Sequence, residues 1–425
     1  MSGKPKYSVR VGTPGDSMKT LVDQAKNGTV TPPMIQVAMA ENIAPQVLCS
    51  RIADGSVVIM QRGNRFTGIG RGLTTKINVN LGTSSGKVCM EDEVKKALIA
   101  ERFGAHTISD LSMGGDISAI RREIFSCTTL PITTVPVYQA VAEQGLKDLT
   151  PQEILATFEK QAEEGISSAV IHGVSRSMLA LFRRKERILG MVSKGGSLTS
   201  AFMLIHNCEN PFLEHFGKVL AVCRKHEIVL SLGNTARSGC IHDRMDAFMR
   251  AEVEQNIALA SRAHDEGVQV IIEGCGGHIR CDRIAEYIRY YKERSPFPLF
   301  VAGPLPTDIA VGYDHIAGAC GGSAAAAAGA DYLCYITPAE HLGLPNPDAV
   351  KEGLIAFRIA AHIGDTVKYG NDGNDRIIAE HRASLDREGQ IRCSMDPARA
   401  RELTDGAAEC TMCGEYCAIK IMREF

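Results

Sequence analysis

Residues 268–302, VQVIIEGCGGHIRCDRIAEYIRYYKERSPFPLFVA, combine two short apolar segments with an amphipathic segment between them. Val268–Ile272 and Leu299–Ala302 are rich in the β-branched and aromatic residues that strands favour, and Arg280–Glu293 has its apolar residues at helical spacing. A strand, a helix and a second strand in this order are typical of a parallel sheet, because the helix returns the chain to the end at which the first strand began.

The same alternation recurs along the chain from Lys76 onward. It predicts further strands near Lys76–Asn80, Thr107–Leu111, Ile132–Val137, Ala169–Ile171, Leu189–Val192, Ile228–Leu232 and Tyr332–Ile336, with helices such as Pro151–Glu163 and Arg244–Asp265 between them. This number of strand–helix units favours an α/β fold of the (β/α)8 TIM-type barrel class over an open sheet. Polar residues follow nearly every predicted strand, at the end of the barrel where reacting groups lie.

The two ends of the chain differ from this pattern. Residues 1–75 are predicted to form a small N-terminal α+β lead-in, with a helix at Thr31–Ala40 and a strand at Ser56–Gln61, and residues 76–365 form the barrel. After a helix at Ala349–Ile363, the Gly- and Asn-rich run KYGNDGNDRI indicates a tether, followed by a polar helix at Ile378–Arg387. Residues 366–425 are therefore predicted to form a C-terminal arm.

The composition is that of an ordinary globular enzyme. The 425 residues carry 47 basic and 49 acidic side chains, for a net charge of −2. The sequence shows neither a basic patch for nucleic acid nor an apolar run long enough for a bilayer, so we expect neither partner and a cytoplasmic location. In that compartment the 14 cysteines are expected to be buried thiols or metal ligands instead of disulfides.

Three of the cysteines, Cys410, Cys413 and Cys417, lie close together near the C-terminus. Thiolates select zinc or iron–sulfur clusters. Three ligands fall one short of the closed shell of structural zinc, whereas in a [4Fe-4S] cluster they leave one iron open to a small molecule. A zinc site completed by a distant histidine and a chance group of thiols remain alternatives. Three further cysteines fall in loops after predicted strands, with no role assigned to them: Cys240, Cys275 and Cys281.

The segment SKGGS, which begins with Ser193, Lys194, Gly195 and Gly196, follows an apolar run. Paired glycines let backbone N–H groups form a concavity for an anion, and the lysine adds a positive charge. The segment therefore predicts a phosphate site, with a plain turn as the alternative.

Two histidines, His278 and His341, follow the ends of late predicted strands and stand near Glu273 and Glu340. Imidazole is the commonest metal ligand, so the pair predicts a second metal site. The alternative is that each histidine is a structural, hydrogen-bonded residue.

Several long segments together resemble the radical S-adenosylmethionine enzymes of the phosphomethylpyrimidine synthase family, which act on 5-aminoimidazole ribotide. The resemblance covers nearly the whole chain. The segments that carry it are KINVNLG, DLSMGGDI, TTVPVYQA, VSKGGS, GPLPTDIAVGYDHI, YITPAEHLGLPN, VKEGLIAFRIAAH and CTMCGEYC.

The resemblance implies a barrel enzyme in which Cys410, Cys413 and Cys417 hold a [4Fe-4S] cluster, whose open iron binds S-adenosylmethionine for reductive cleavage to a 5′-deoxyadenosyl radical. It also implies a homodimer with exchanged C-terminal arms, an electron donor such as flavodoxin or ferredoxin, and a divalent zinc or iron ion at His278 and His341. The implied ribotide pocket is lined by Asn78, Met113, Tyr138, His172, Asn234, Arg237 and Glu273, with the phosphate at residues 193–196. Glu273 is the candidate for proton transfer or for binding the exocyclic amine.

Two segments depart from the pyrimidine synthase pattern. In SLGNTARSGC, Asn234 stands where the family has an acid and Ser238 where it has a proline; EGCGGHIR is one residue longer before His278 and lacks two prolines. Such changes would keep ribotide binding but redirect the radical. This pattern of substitutions resembles that of the 5-hydroxybenzimidazole synthases, paralogues that make the lower-ligand precursor of anaerobic cobamides. A divergent pyrimidine synthase of thiamine biosynthesis is the alternative. A non-radical zinc lyase or aldolase that uses the two histidines is a competing class, and a catalytically dead binding paralogue is a third.

Overall fold

The computed structural model describes residues 19–183, 186–404, 406–407 and 410–423. The chain divides into two compact units, of which the first ends at Gly364 and the second begins at Asp365. The first 18 residues of the predicted N-terminal lead-in lie outside the described part. None of the described helices is long and apolar enough to cross a membrane.

The N-terminal part of the first unit is a small layer of helices on a hairpin. Its elements are α1 (Leu21–Lys26), α2 (Pro32–Ala40), α3 (Pro45–Ala53), β1 (Val57–Arg62) and β2 (Arg65–Gly70). One face of the hairpin packs in a core with these helices. Val58 and Met60 on the other face pack against Val229, Phe300 and Tyr332, which lie near the starts of barrel strands. The hairpin thus covers the N-terminal end of the barrel.

Eight parallel strands form a closed barrel, which confirms the predicted TIM-type fold. Each strand pairs with the next along the chain, and the last pairs with the first; Leu232, for example, stands opposite Ile272. The strands are β3 (Lys76–Leu81), β4 (Thr107–Asp110), β5 (Ile132–Thr134), β6 (Ser168–His172), β7 (Val229–Gly233), β8 (Val270–Glu273), β9 (Leu299–Ala302) and β10 (Tyr332–Cys334).

Helices follow the strands and cover the barrel. They are α4 (Met90–Arg102), α5 (Ile117–Cys127), α6 (Pro136–Gln144), α7 (Pro151–Glu163), α8 (Arg176–Leu181), α9 (Lys194–Ile205), α10 (Pro211–Glu214), α11 (Phe216–His226), α12 (Ala247–Asp265), α13 (Cys281–Lys292), α14 (Asp314–Ala327) and α15 (Pro347–Tyr369). Helix α7 begins as predicted because Thr150 and Glu153 form a capping box around Pro151.

The second unit is helical in its described part. It contains the end of α15, then α16 (Gly373–Ser384), α17 (Arg387–Arg392), α18 (Pro397–Glu402), a short 3-10 helix (Gly414–Tyr416) and α19 (Ala418–Met422).

Three sequence predictions of local structure are wrong. Leu189–Val192 is not a strand: β6 pairs directly with β7, so the closed barrel has no edge left for it, and Gly190 adopts a positive φ of 77°. The predicted strand Ile132–Val137 ends at Thr134 because Pro136 begins α6. The predicted tether shortens to residues 370–372, since α15 continues to Tyr369 and α16 begins at Gly373.

Candidate active site

Four of the predicted site residues, together with Glu340, lie around Arg237 at the C-terminal end of the barrel. Arg237 lies in the loop after β7, and its positive charge acts on the pKa of each of these groups. The groups are Tyr138, His172, Lys194, Glu273 and Glu340. A cationic centre among two carboxyl groups, a phenol, an imidazole and an ammonium group suits a small polar substrate that carries an anion.

The imidazole of His172 lies between two glycines. A Cβ atom added to Gly195 would stand 2.2 Å from Nε2 of the ring, and one added to Gly233 would stand 2.7 Å from its Cε1. On its other edge, Nδ1 of His172 is 3.1 Å from Oγ1 of Thr235. Burial lowers the pKa of His172 to about 3, so the ring is neutral and fixed in place.

The predicted phosphate segment forms the first turn of α9. Ser193 caps this helix, with its Oγ accepting a hydrogen bond from N of Gly196 at 3.2 Å. Nζ of Lys194 stands 5.2 Å above the centre of the Tyr138 ring. Burial raises the pKa of Tyr138 to about 12, so its hydroxyl keeps its proton and can donate it in a hydrogen bond. The turn follows an irregular segment and not a strand, and reaches the barrel because Gly195 permits close contact with His172.

Glu273 ends β8, and its carboxylate accepts a hydrogen bond from Oγ of Ser231 at 2.8 Å. Burial raises its pKa, while the hydrogen bond from Ser231 and the charge of Arg237 oppose that shift. A carboxyl group whose pKa is raised by burial and that stands beside a cation is suited to accept a proton and return it.

Asn78 lies deeper inside the barrel. Its Oδ1 accepts hydrogen bonds from Oγ1 of Thr107 and Oγ of Ser109, both at 3.0 Å, and its Nδ2 is 3.7 Å from Sγ of Cys334. This amide is engaged by protein groups and forms part of the floor of the site. Met113 is half-buried, packed against the main core.

The two predicted metal-binding histidines lie side by side, with ring centres 5.1 Å apart. Nδ1 of His278 is 2.6 Å from Oδ1 of Asp308, which leaves Nε2 of the ring as the atom that could bind a metal. Oδ2 of Asp314 is buried without a hydrogen-bond partner among the described residues. Burial raises the pKa of this carboxyl group, and the charges of both histidines oppose that shift. Imidazole and carboxylate are donors that divalent ions accept, but no three His, Cys, Asp or Glu side chains converge on one point within the described residues.

The three cysteines that lack an assigned role differ in exposure. Burial raises the pKa of both Cys240 and Cys275, so these two thiols stay protonated, while Cys281 is exposed at the start of α13. At Cys240 the backbone N–H groups of His242 and Asp243 oppose the effect of burial, whereas at Cys275 burial acts alone.

The C-terminal cysteines line one pocket of the second unit. This pocket has a volume of about 590 Å³, and its other walls include Arg382, Arg387 and Met412. Cys410 and Cys413 are exposed. Backbone N–H groups of Lys420 and Ile419 lower the pKa of Cys417, which favours its thiolate. A cubane cluster binds each thiolate at a different iron, so three thiols around a pocket fit it without meeting at one point.

Sequence reasoning missed three residues that position the site. They are Thr235 beside His172, Asp308 beside His278, and Glu252 beneath the loop after β7. Glu252 lies inside a long helix, where a single acid among helical residues gives no signal of its role. Only the tertiary contact identifies it.

The family model described as the Radical SAM ThiC family matches residues 20–424. A phosphomethylpyrimidine synthase from Dehalococcoides mccartyi is 44% identical over 422 residues, covering 95% of this chain and 97% of the relative. The enzyme of the same name from Desulfotalea psychrophila is 42% identical, over 94% and 96% of the two chains. Phosphomethylpyrimidine synthase 1 from Methanothermobacter thermautotrophicus is also 42% identical, over 96% and 98%. Because the match spans nearly all of both chains, the protein belongs to the radical SAM ThiC family.

Proposed function

We propose that this protein is a radical S-adenosylmethionine enzyme that acts on 5-aminoimidazole ribotide. Membership of the family implies S-adenosylmethionine and an iron–sulfur cluster. The observation that carries the substrate proposal is the turn at Ser193–Gly196, placed beside His172, Arg237 and Glu273. This arrangement offers a phosphate site and a proton acceptor within one group of side chains around Arg237, which is what a phosphorylated aminoimidazole requires.

In this proposal the phosphate binds at the N-terminus of α9, where it replaces the Ser193 hydroxyl as the acceptor for N of Gly196, and Lys194 and the Tyr138 hydroxyl add donors. His172 remains neutral and orients the sugar or ring through Nε2. Glu273 holds the exocyclic amine or accepts a proton from it, and the charge of Arg237 opposes the rise that burial causes in the pKa of Glu273. The barrel thus holds the substrate in a single pose and keeps water away from it.

Cys410, Cys413 and Cys417 would hold the [4Fe-4S] cluster. When bound, the cluster supplies the electron that cleaves S-adenosylmethionine. We further propose that His278 and His341 hold a divalent zinc or iron ion, with Asp308 fixing the His278 ring. The exchanged arms of a homodimer, a flavodoxin or ferredoxin as electron donor, and the cytoplasmic location stay predictions.

For the product we propose 5-hydroxybenzimidazole. The two segments that depart from the pyrimidine synthase pattern touch each other: Oγ of Ser238 donates to the carbonyl of His278, and N of His278 donates to the carbonyl of Ser238 at 3.3 Å. In addition, N of Gly276 donates to Oδ1 of Asn234 at 3.3 Å. The departures therefore form one connected change beside Glu273, which supports an altered reaction more than scattered drift does.

The second candidate product is hydroxymethylpyrimidine phosphate. It is supported by the names of the relatives, which are phosphomethylpyrimidine synthases at 42–44% identity across nearly the whole chain. Both candidates use the same ribotide and the same cofactors, so they differ only in how the substrate radical rearranges.

Anaerobic reconstitution with iron and sulfide tests the proposal. We expect a brown protein with about four irons per chain. Addition of reductant, S-adenosylmethionine and the ribotide should then release 5′-deoxyadenosine, and omission of the ribotide should suppress that release. A colourless protein with full activity in air would refute the radical mechanism and favour a zinc lyase. A reconstituted brown protein that releases no 5′-deoxyadenosine would indicate a catalytically dead binding protein.

A further inference from the structure

Glu252 is a fully buried carboxyl group on α12. Its Oε2 accepts hydrogen bonds from Nδ2 of Asn234 at 2.6 Å and from N of Ala236 at 3.0 Å, and its Oε1 accepts one from N of Thr235 at 2.5 Å. A buried acid is costly unless such donors surround it. Here every donor belongs to the loop after β7, so the carboxyl group holds the first residues of that loop in place.

Asn234 uses both ends of its side chain within the protein. Its Nδ2 donates to Glu252, and its Oδ1 accepts from N of Gly276 in the loop after β8. The side chain is 6% exposed. Asn234 therefore connects the two departing loops to each other and to α12.

The segment that Glu252 holds also sets the surroundings of the ribotide pocket. Thr235 contacts Nδ1 of His172, and a Cβ atom on Gly196 would stand 2.5 Å from Cγ2 of Thr235. The backbone N–H of Asn234 also faces the carboxylate of Glu273. A shift of this segment would move the imidazole, the phosphate turn and the acid together.

We propose that Asn234 and Glu252 form a positioning pair, and that the amide at position 234 affects the outcome of the reaction by placing both loops. The proposal rests on the function proposed above. An aspartate at position 234 would set a carboxylate oxygen about 2.6 Å from Oε2 of Glu252. Two such groups cannot both ionise at that distance, so they must share a proton or separate. The amide removes this conflict because it supplies a donor.

Titratable and charged groups lie near the pair. On α13, burial and the nearby Cys275 and Glu252 raise the pKa of Tyr291; on β8, Glu273 faces the backbone N–H of Asn234; and Arg237 follows in the same loop as Asn234. Of these only Arg237 carries a positive charge, and it already acts on Glu273. In an Asn234→Asp variant the pair would therefore keep one proton in the folded protein. The two acids would hold this shared proton to a higher pH than wild-type Glu252 holds its own, so the stability of the variant would fall more steeply with rising pH than that of the wild type.

The test compares the reconstituted wild type with Asn234→Asp, Glu252→Gln and the double variant. The readouts are thermal unfolding and the ratio of ring product to 5′-deoxyadenosine, both measured from acid to alkaline pH. For Asn234→Asp we expect the ratio of ring product to 5′-deoxyadenosine to fall at least about tenfold as the pH rises. A tenfold change corresponds to about 1.4 kcal/mol. The double variant should recover part of this loss, because the glutamine amide introduced at position 252 would donate to the new carboxylate at position 234, while N of Ala236 would lose its acceptor.

The matched control is Asn210→Asp, another buried amide, whose Nδ2 donates to the backbone carbonyls of His172 and Val174. Its defect should not be rescued by Glu252→Gln. The positioning pair is refuted if Asn234→Asp shows the wild-type ratio and unfolding at every pH, or if the double variant is no better than Asn234→Asp. If the wild type makes no ring product, the proposed function fails instead, and the unfolding profiles still decide the pairing.

Discussion

Replacing Gly195 with alanine should damage the site by crowding one ring. The new Cβ would stand 2.2 Å from Nε2 and 2.6 Å from Cδ2 of His172. The ring cannot move away, since Thr235 binds its far edge and it also lies against Gly233. Overpacking of this kind costs up to about 3 kcal/mol, and the better helix propensity of alanine returns about 1 kcal/mol. We therefore expect a net loss of about 2 kcal/mol.

Two measurements check this prediction. Thermal unfolding of Gly195→Ala should start several degrees lower, and KM for the ribotide should rise by about ten- to hundredfold, because the displaced turn loses charge-assisted hydrogen bonds of about 1.5–3 kcal/mol. Gly217→Ala in α11 is the control: the nearest heavy atom to its new Cβ is Nη2 of Arg262 at 3.9 Å, so the variant should be more stable by up to about 1 kcal/mol. If Gly195→Ala is as stable as Gly217→Ala and KM is unchanged, the claim that the His172 ring cannot move away from residue 195 is refuted.

Three further predictions concern the iron–sulfur cluster, the carboxyl group of Glu273 and the pH dependence of stability. Cys417→Ala should lose the iron and the release of 5′-deoxyadenosine, whereas Cys393→Ala in the same unit should keep both, as measured by iron content and product analysis. Glu273→Gln should lower ring-product formation by about a hundredfold or more while the cluster stays intact, which single-turnover assays would show. Burial raises the pKa of Glu252 from 4.5 to about 7, so the folded state keeps a proton that the unfolded state gives up. Stability should thus fall by up to about 3 kcal/mol as the pH rises from 4.5 to 7, and denaturation of Glu252→Gln at several pH values should show a flatter profile.

Local signals predicted much of the barrel. Helix α7 and strand β9 have the predicted bounds, because a capping box and a short apolar run are complete within a few residues. The extra strand at Leu189–Val192 failed for a non-local reason: strand propensity cannot show that β6 and β7 already pair. Polar residues at strand ends were found because barrel topology gathers them at one end.

The supporting residues could not be predicted in the same way. Glu252 and Asp308 act through contacts with distant segments, so neither the neighbours nor the spacing of these acids identifies them. The double glycine suggested an anion site by composition, yet both glycines are also required by close contact with His172 and Thr235. That packing role depends on contacts between segments far apart in the sequence, which no local pattern shows.

Mass analysis of the anaerobic reaction of the reconstituted protein with reductant, S-adenosylmethionine and 5-aminoimidazole ribotide tests the central claim most directly. The account predicts 5-hydroxybenzimidazole together with 5′-deoxyadenosine. Formation of hydroxymethylpyrimidine phosphate would contradict the role given to the two connected loops and make the chain a pyrimidine synthase. The absence of any product derived from the ribotide would contradict the proposed substrate itself.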